Sequence, residues 1–290
     1  MASLKDIKTR ISSVRSTRQI TSAMKMVASA KLHKAQGAIE NMLPYQTKLN
    51  AILTNFLRTD STIDSPYIAV RPVNKVAIVV FSSSTSLCGA FNANVAKHFV
   101  QVLEDYKHLD QKNILIYPIG KKIEENIKKM GYEVQGSFQH LADKPSYKES
   151  SELGERLMDL FASKEVDRVE LIYHHFKSTA SQTLVRENFL PLDLTVDQVD
   201  KKIKGKNIDY IVEPSAADFI ANLLPKVITL KMYTALLDSN ASEHAARTMA
   251  MQIATDNANE LIQDLTKQYN KSRQQSITNE LLDIIGGSMR

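Results

Sequence analysis

Eleven residues, SSSTSLCGAFN at positions 82–92, concentrate the groups most able to do chemistry: five consecutive hydroxyl side chains, the chain's single thiol, Cys88, and Gly89. They follow the apolar run KVAIVVF, residues 75–81, and the loop after a first strand is where an α/β domain holds a phosphate or a nucleophile. The motifs that do this, GxGxxG, GxxxxGKS/T and GxSxG, need glycines for close backbone approach or a sharp elbow, and only Gly89 is present. Two readings stand: a polar turn whose hydroxyls cap the following helix, or a nucleotide cradle. Cys88 is either a thiol activated at a helix N-terminus or small core filler. His174 and His175 are neighbours on an expected strand, so they face opposite sides and cannot chelate one ion together. Asp256, Glu260 and Asp264 recur every four residues on one helical face, but no histidine follows at the spacing a di-metal bundle requires, and a solvated or partner-facing stripe remains. No metal site is expected.

Two long helices must position these groups. No Gly or Pro occurs before Gly37, and Leu4, Ile7, Ile11 and Val14 keep one face apolar; the seam is expected to turn mixed through Ile20, Met24 and Val27 and to resume at Leu32, Ala35, Ile39 and Met42. Pro44 is expected to kink or interrupt this helix, with a second segment at 46–57. From Lys226 to Ile285 there is no Gly or Pro; Pro225 brackets the start and Gly286-Gly287 reads as a stop. Sixty helical residues rise roughly 90 Å, against a diameter near 50 Å for a compact globule of this length, so the helix must protrude. Alternating steps of four and three from Leu223 pass through Val227, Leu230, Leu237, Met251, Ile262 and Leu265, then reach the polar Ser276, Asn279 and Asp283. A partner helix of some forty residues covers about 60 Å, which leaves roughly a third of the longer one uncovered.

Between the helices, strand and helix patterns alternate. Strands are expected at 75–81, 113–119, 132–138, 168–175 and 183–190, and helices at 91–106, 121–131 and 151–164. The fold class is therefore an antiparallel coiled coil of long N- and C-terminal helices with an inserted doubly wound, mostly parallel α/β domain. Its parts are shaft helices at 1–58, the α/β domain at 75–192 and a long helix at 208–287.

Of 290 residues, 43% are hydrophobic and 24% charged, an ordinary globular composition that excludes collagen-like, mucin-like or low-complexity chains. One cysteine excludes an internal disulfide and a multi-thiolate metal site and favours a reducing compartment. A charged start and the lack of an 18-residue apolar run point to a soluble bacterial cytoplasmic chain without a secretory signal. The net charge of +5 is concentrated near the start, where Lys5, Lys8, Arg10, Arg15, Arg18, Lys25, Lys31 and Lys34 face only Asp6 and Glu40. An acidic partner is implied, and with no aromatic platform or nucleic-acid-binding motif an acidic protein fits better than a nucleic acid.

Three stretches, ITSAMKMVASAKL, SEHAARTMAMQIATDNANELI and YNKSRQQSITNELLDIIGG, resemble the gamma-subunit family of F-type ATP synthases, the central rotor shaft. The terminal pattern RQxSITxELx(D/E)I before glycine is met by Arg273, Gln274, Ser276, Ile277, Thr278, Glu280, Leu281, Asp283, Ile284 and Gly286. In the family's Ser-Asp-Arg/Lys-Gly-Leu-Cys-Gly turn, Ser84, Thr85 and Ser86 replace the Asp, the basic residue and the first Gly, while Leu87, Cys88, Gly89 and Asn92 remain. The resemblance implies a non-catalytic rotor subunit without cofactor, on the cytoplasmic face of the bacterial plasma membrane without inserting into it. It couples ion-driven ring rotation to the beta-subunit sites. Implied partners are the alpha and beta subunits of the catalytic hexamer, the epsilon subunit and the membrane rotor ring. Met24, Lys25, Arg247, Arg273, Gln274, Thr278 and Glu280 would meet the hexamer, and Tyr210 and Glu213 the membrane ring. The competing class is an α/β nucleotide-binding enzyme that oligomerises through its helices.

Overall fold

The computed structural model describes residues 3–59, 65–192 and 215–288. Helix α1 spans Leu4–Thr59 and α6 spans Ala216–Ser288. Each starts on a serine that accepts from the backbone of an aspartate three residues on: Ser3 from Asp6 N at 3.2 Å and Ser215 from Asp218 N at 3.1 Å. Both are N-caps with an acidic side chain at the positive helix end.

The two helices pair antiparallel, since Arg18 donates to Asn259, Thr21 hydrogen-bonds Thr255 at 2.9 Å and Gln46 donates to Thr234. On α6 the expected seam holds. The positions from Leu223 in steps of four and three are buried or half-buried as far as Ser276, and Asn279 and Asp283 are exposed. On α1 the middle of the seam departs from the expectation: Ile20 and Val27 are about 60% exposed, while Thr21 and Ala28 are buried. A two-helix seam is fixed by the 3.5-residue period, and opposite Thr255 and Met251 it has room for small side chains only.

Pro44 interrupts nothing, because it lies at an exposed position where water can take the carbonyl its ring leaves unpaired. Pro225 likewise lies inside α6, and Gly286-Gly287 falls within its last turn rather than after it. With α1 at 56 residues, its start lies level with about residue 272 of α6, so roughly 15 residues, or about 22 Å, extend past it. That is about a fifth of α6, not a third. One stretch of α6 is also long and apolar enough to cross a membrane, contrary to the sequence expectation, and most of it is buried within the chain.

The central domain is a four-stranded sheet of order β2-β1-β3-β4, with β1 at Val76–Phe81, β2 at Ile114–Ile119, β3 at Arg168–Ser178 and β4 at Ser181–Leu190. β1 pairs parallel with β2 and β3, and β4 returns antiparallel on β3. The strand expected at 132–138 is reduced to one bridge, Ile116 to Val134, because Gly136 at φ 100° turns the chain away. Helices α2 (Phe91–Asp105) and α3 (Lys121–Lys129) cover one face, where Val76, Ile78 and Val80 meet Val95, Phe99, Ile123 and Ile127. The other face packs on α4 (Gln139–Asp143), α5 (Tyr147–Ala162) and α6 itself: Ala77, Val79 and Phe81 share a core with Leu157, Phe161, Ile228, Met232 and Leu236. The lower part of the shaft is thus one of the helices that completes the α/β core, so shaft and body share their packing.

Candidate functional site

The serine-rich turn is occupied by its own chain. Ser83 N and Oγ both donate to Asn92 Oδ1, at 3.1 and 3.0 Å, and Asn92 Nδ2 donates to Cys88 Sγ at 3.1 Å. Cys88 is 1% exposed and acts as core filler. The hydroxyl cap expected for the following helix falls on a different one: α2 starts at Ala90 without a side-chain cap, whereas Ser82 Oγ accepts from Ile123 N in the first turn of α3 at 3.1 Å. Gly120, which leads into α3 at φ 104°, has to be glycine, because a Cβ there would lie 2.3 Å from Ser82 O. Leu87 stands out from the turn, 60% exposed at φ 68°. The turn's hydroxyls cap, brace and close the loop, and no phosphate cradle is formed.

The two histidines separate as their alternation requires. His174 is 3% exposed and stacks on Phe91 at 4.3 Å, and burial lowers its pKa to about 4. His175 lies on the opposite face and pairs with Asp238 of α6, whose other oxygen accepts from Phe176 N at 2.8 Å. His244 is also buried, and desolvation, then Arg247 and Lys31, bring its pKa to about 4. Asp256, Glu260 and Asp264 are exposed, and among the described residues no group of three ligating side chains could hold a metal.

The candidate contact residues fall at separate stations along the shaft. Met24 and Lys25 are half-buried on α1, beside the outward-facing Ile20, Met26 and Val27. Arg273, Gln274, Thr278 and Glu280 are exposed on the far end of α6, about 30 Å further along by residue rise. There Ile277, Leu281, Leu282, Ile284 and Ile285 are between 48% and 68% exposed. Arg247 is 8% exposed and its guanidinium points into the chain. Its partner Glu243, one turn away on α6, was legible as an i,i+4 ion pair. Its contacts with Thr85 and Ser86 were not legible, since 160 residues separate them and only the fold brings them together. Tyr210 and Glu213 lie outside the described residues.

An antiparallel helical shaft, built into an α/β body at one end and bare at the other, without an occupied or formed catalytic pocket among the described residues, defines a protein that transmits force or position to other chains. The sequence profile of the family described as ATP synthase matches residues 3–289. The ATP synthase gamma chain of Bacteroides fragilis is 69% identical over 289 residues, covering 100% of both chains, and that of Parabacteroides distasonis is 52% identical over 288 residues, covering 99% of each. In fold, the chain is similar to one from the mitochondrial ATP synthase of Euglena gracilis, with a TM-score of 0.65 at 20% identity over 99% of this chain and 93% of that one. The protein belongs to the ATP synthase family, among its gamma chains.

Proposed function

We propose that this chain is the central-stalk rotor subunit of a rotary ATP synthase and couples rotation of an ion-driven membrane ring to conformational change at the beta-subunit catalytic sites. It is a non-catalytic subunit of a membrane-bound complex. Its partners are the alpha and beta subunits of the hexamer, the epsilon subunit and the membrane rotor ring. In this reading it works at the cytoplasmic face of a bacterial membrane. The observation that carries the proposal is the bare end of α6, whose five apolar side chains face water with no α1 beside them; exposed apolar patches of this kind mark surfaces made for partners.

The proposed contacts follow from position. The tip, with Arg273, Gln274, Thr278 and Glu280 among the apolar residues, sits in the hexamer bearing, and Met24 and Lys25 meet an acidic lever of the beta subunit. Tyr210 and Glu213 serve the foot on the membrane ring. A cation against an acidic lever in a wet interface is worth about 1 to 4 kcal/mol and is screened by salt, so such contacts guide rotation without locking it. Coupling requires that the shaft interact differently with the different states of each site, which its unlike faces supply. The proposed division into shaft (1–58 and 208–287) and body (75–192) describes roles rather than separate cores, since α6 belongs to both. The test is to isolate the chain from native membranes under mild conditions and identify its companions by mass. Recovery with alpha, beta and epsilon subunits is expected; recovery alone, or stoichiometric nucleotide binding by the free chain, would overturn the reading.

A further inference from the structure

Arg247 spends its charge inside the molecule. Nη1 pairs with Glu243, itself 3% exposed. Nη2 donates to Thr85 Oγ1 at 2.8 Å, Thr85 O at 3.3 Å and Ser86 O at 3.4 Å. Its acceptors are the two residues that replace the basic residue and the first glycine of the resembled turn, so a hydroxyl stands at position 85 where a second cation would repel the guanidinium. The next residue, Leu87, holds a left-handed backbone that costs an ordinary side chain roughly 1–2 kcal/mol and persists only where surrounding bonds over-determine it. Two sets of bonds do so. From within the turn, Ser83 Oγ donates to Thr85 O at 2.6 Å; from the shaft, Arg247 reaches across.

We propose that Arg247 is a positioning residue of the rotor: it fixes turn 84–89 to α6 so that Leu87 points outward in one orientation, and it acts through that turn rather than by touching a partner chain. The turn therefore rotates in step with the shaft, as a stiff projection. The proposal rests on the rotor reading for its use, and on the free chain alone for its mechanism.

The test has two arms. In the free full-length chain, amide exchange of the peptide covering 83–89 is compared for wild type, Arg247→Gln, Arg247→Lys and Thr85→Val. Loss of a charged hydrogen bond is expected to raise exchange there about ten- to a hundredfold in Arg247→Gln, less in Thr85→Val, and to leave the tip of α6 unchanged. Thr85→Val keeps the Arg247–Glu243 pair intact, so this arm reads out even if Arg247→Gln folds poorly. In the assembled complex, kcat for ATP hydrolysis is expected to fall about fivefold in Arg247→Gln with KM unchanged, partial recovery in Arg247→Lys, and no additional loss when Thr85→Val is added. Unchanged exchange in the turn, or additive losses in the double variant, would overturn the proposal and place Arg247 against a partner instead. Failure of the chain to assemble with the other subunits would count against the rotor reading and leave the exchange result standing.

Discussion

Deleting residues 276–290 removes the end of α6 that has no α1 beside it, and the structure separates what this costs the chain from what it costs the assembly. No member of the hydrophobic core clusters is lost, and the last buried apolar side chain on α6, Leu265, stays in place. Exposed changes of this kind stay within about 0.5 kcal/mol, which for a chain of this size shifts the melting midpoint by no more than about 2 °C. The loss to the assembly is larger. Ile277, Leu281, Leu282, Ile284 and Ile285 keep roughly half of their surface in water. Full burial of such a side chain is worth about 1.5–3 kcal/mol, so completing it contributes about 1 kcal/mol each and roughly 5 kcal/mol together as a ceiling. A quarter of that ceiling already weakens capture by a hexamer of alpha and beta subunits about tenfold. Circular dichroism melting of the free chain, capture on an immobilised hexamer, and ions moved per ATP in the whole complex measure the three quantities. An unchanged midpoint with weaker capture and fewer ions moved is expected. A truncated chain that does not fold, or one captured as tightly as wild type, refutes the inference that the tip is built for a socket supplied by other chains.

Two further perturbations test the body. Gly120→Ala is expected to destabilise the chain by about 3 kcal/mol or more, because both the positive φ and the 2.3 Å approach to Ser82 O forbid a Cβ; a urea midpoint within error of wild type would show that the α3 start is not as tight as described. Stability is also expected to fall as the pH drops from about 6.5 to about 4. His174 and His244 have folded pKa values near 4 against 6.5 unfolded, so the unfolded chain takes up protons first; their contribution is complete above 6.5, is lost across that window and is flat below it. Asp238 and Glu243, raised by burial, act in the opposite direction, so the comparison is between wild type and His174→Gln: the variant's urea midpoints at pH 7, 5.5 and 4.5 should fall less steeply, and parallel profiles would remove His174 as a source.

The sequence by itself determined the shaft. Helical periodicity is local, and the positions stepped off from Leu223 to Ser276 are those that the fold covers. The strands at 76–81, 114–119 and 168–178 were likewise legible as apolar runs, because a central parallel strand is buried on both faces. What only the tertiary structure decided is where local signals yield to surroundings. Pro44 and Pro225 read as boundaries and are interior, because a proline on an open face of a well-packed helix loses one bond that water replaces. Thr21 and Ala28, unremarkable in sequence, fill the α1 seam because the opposite helix leaves no room for Ile20 or Val27. Arg247 reads as a free rod cation and is a buried brace, because a guanidinium finds its acceptors wherever the fold brings carbonyls and hydroxyls, however distant in the chain. Periodicity can assign a face to a residue, but what that face meets depends on contacts between distant segments, and these form only when the whole chain has folded.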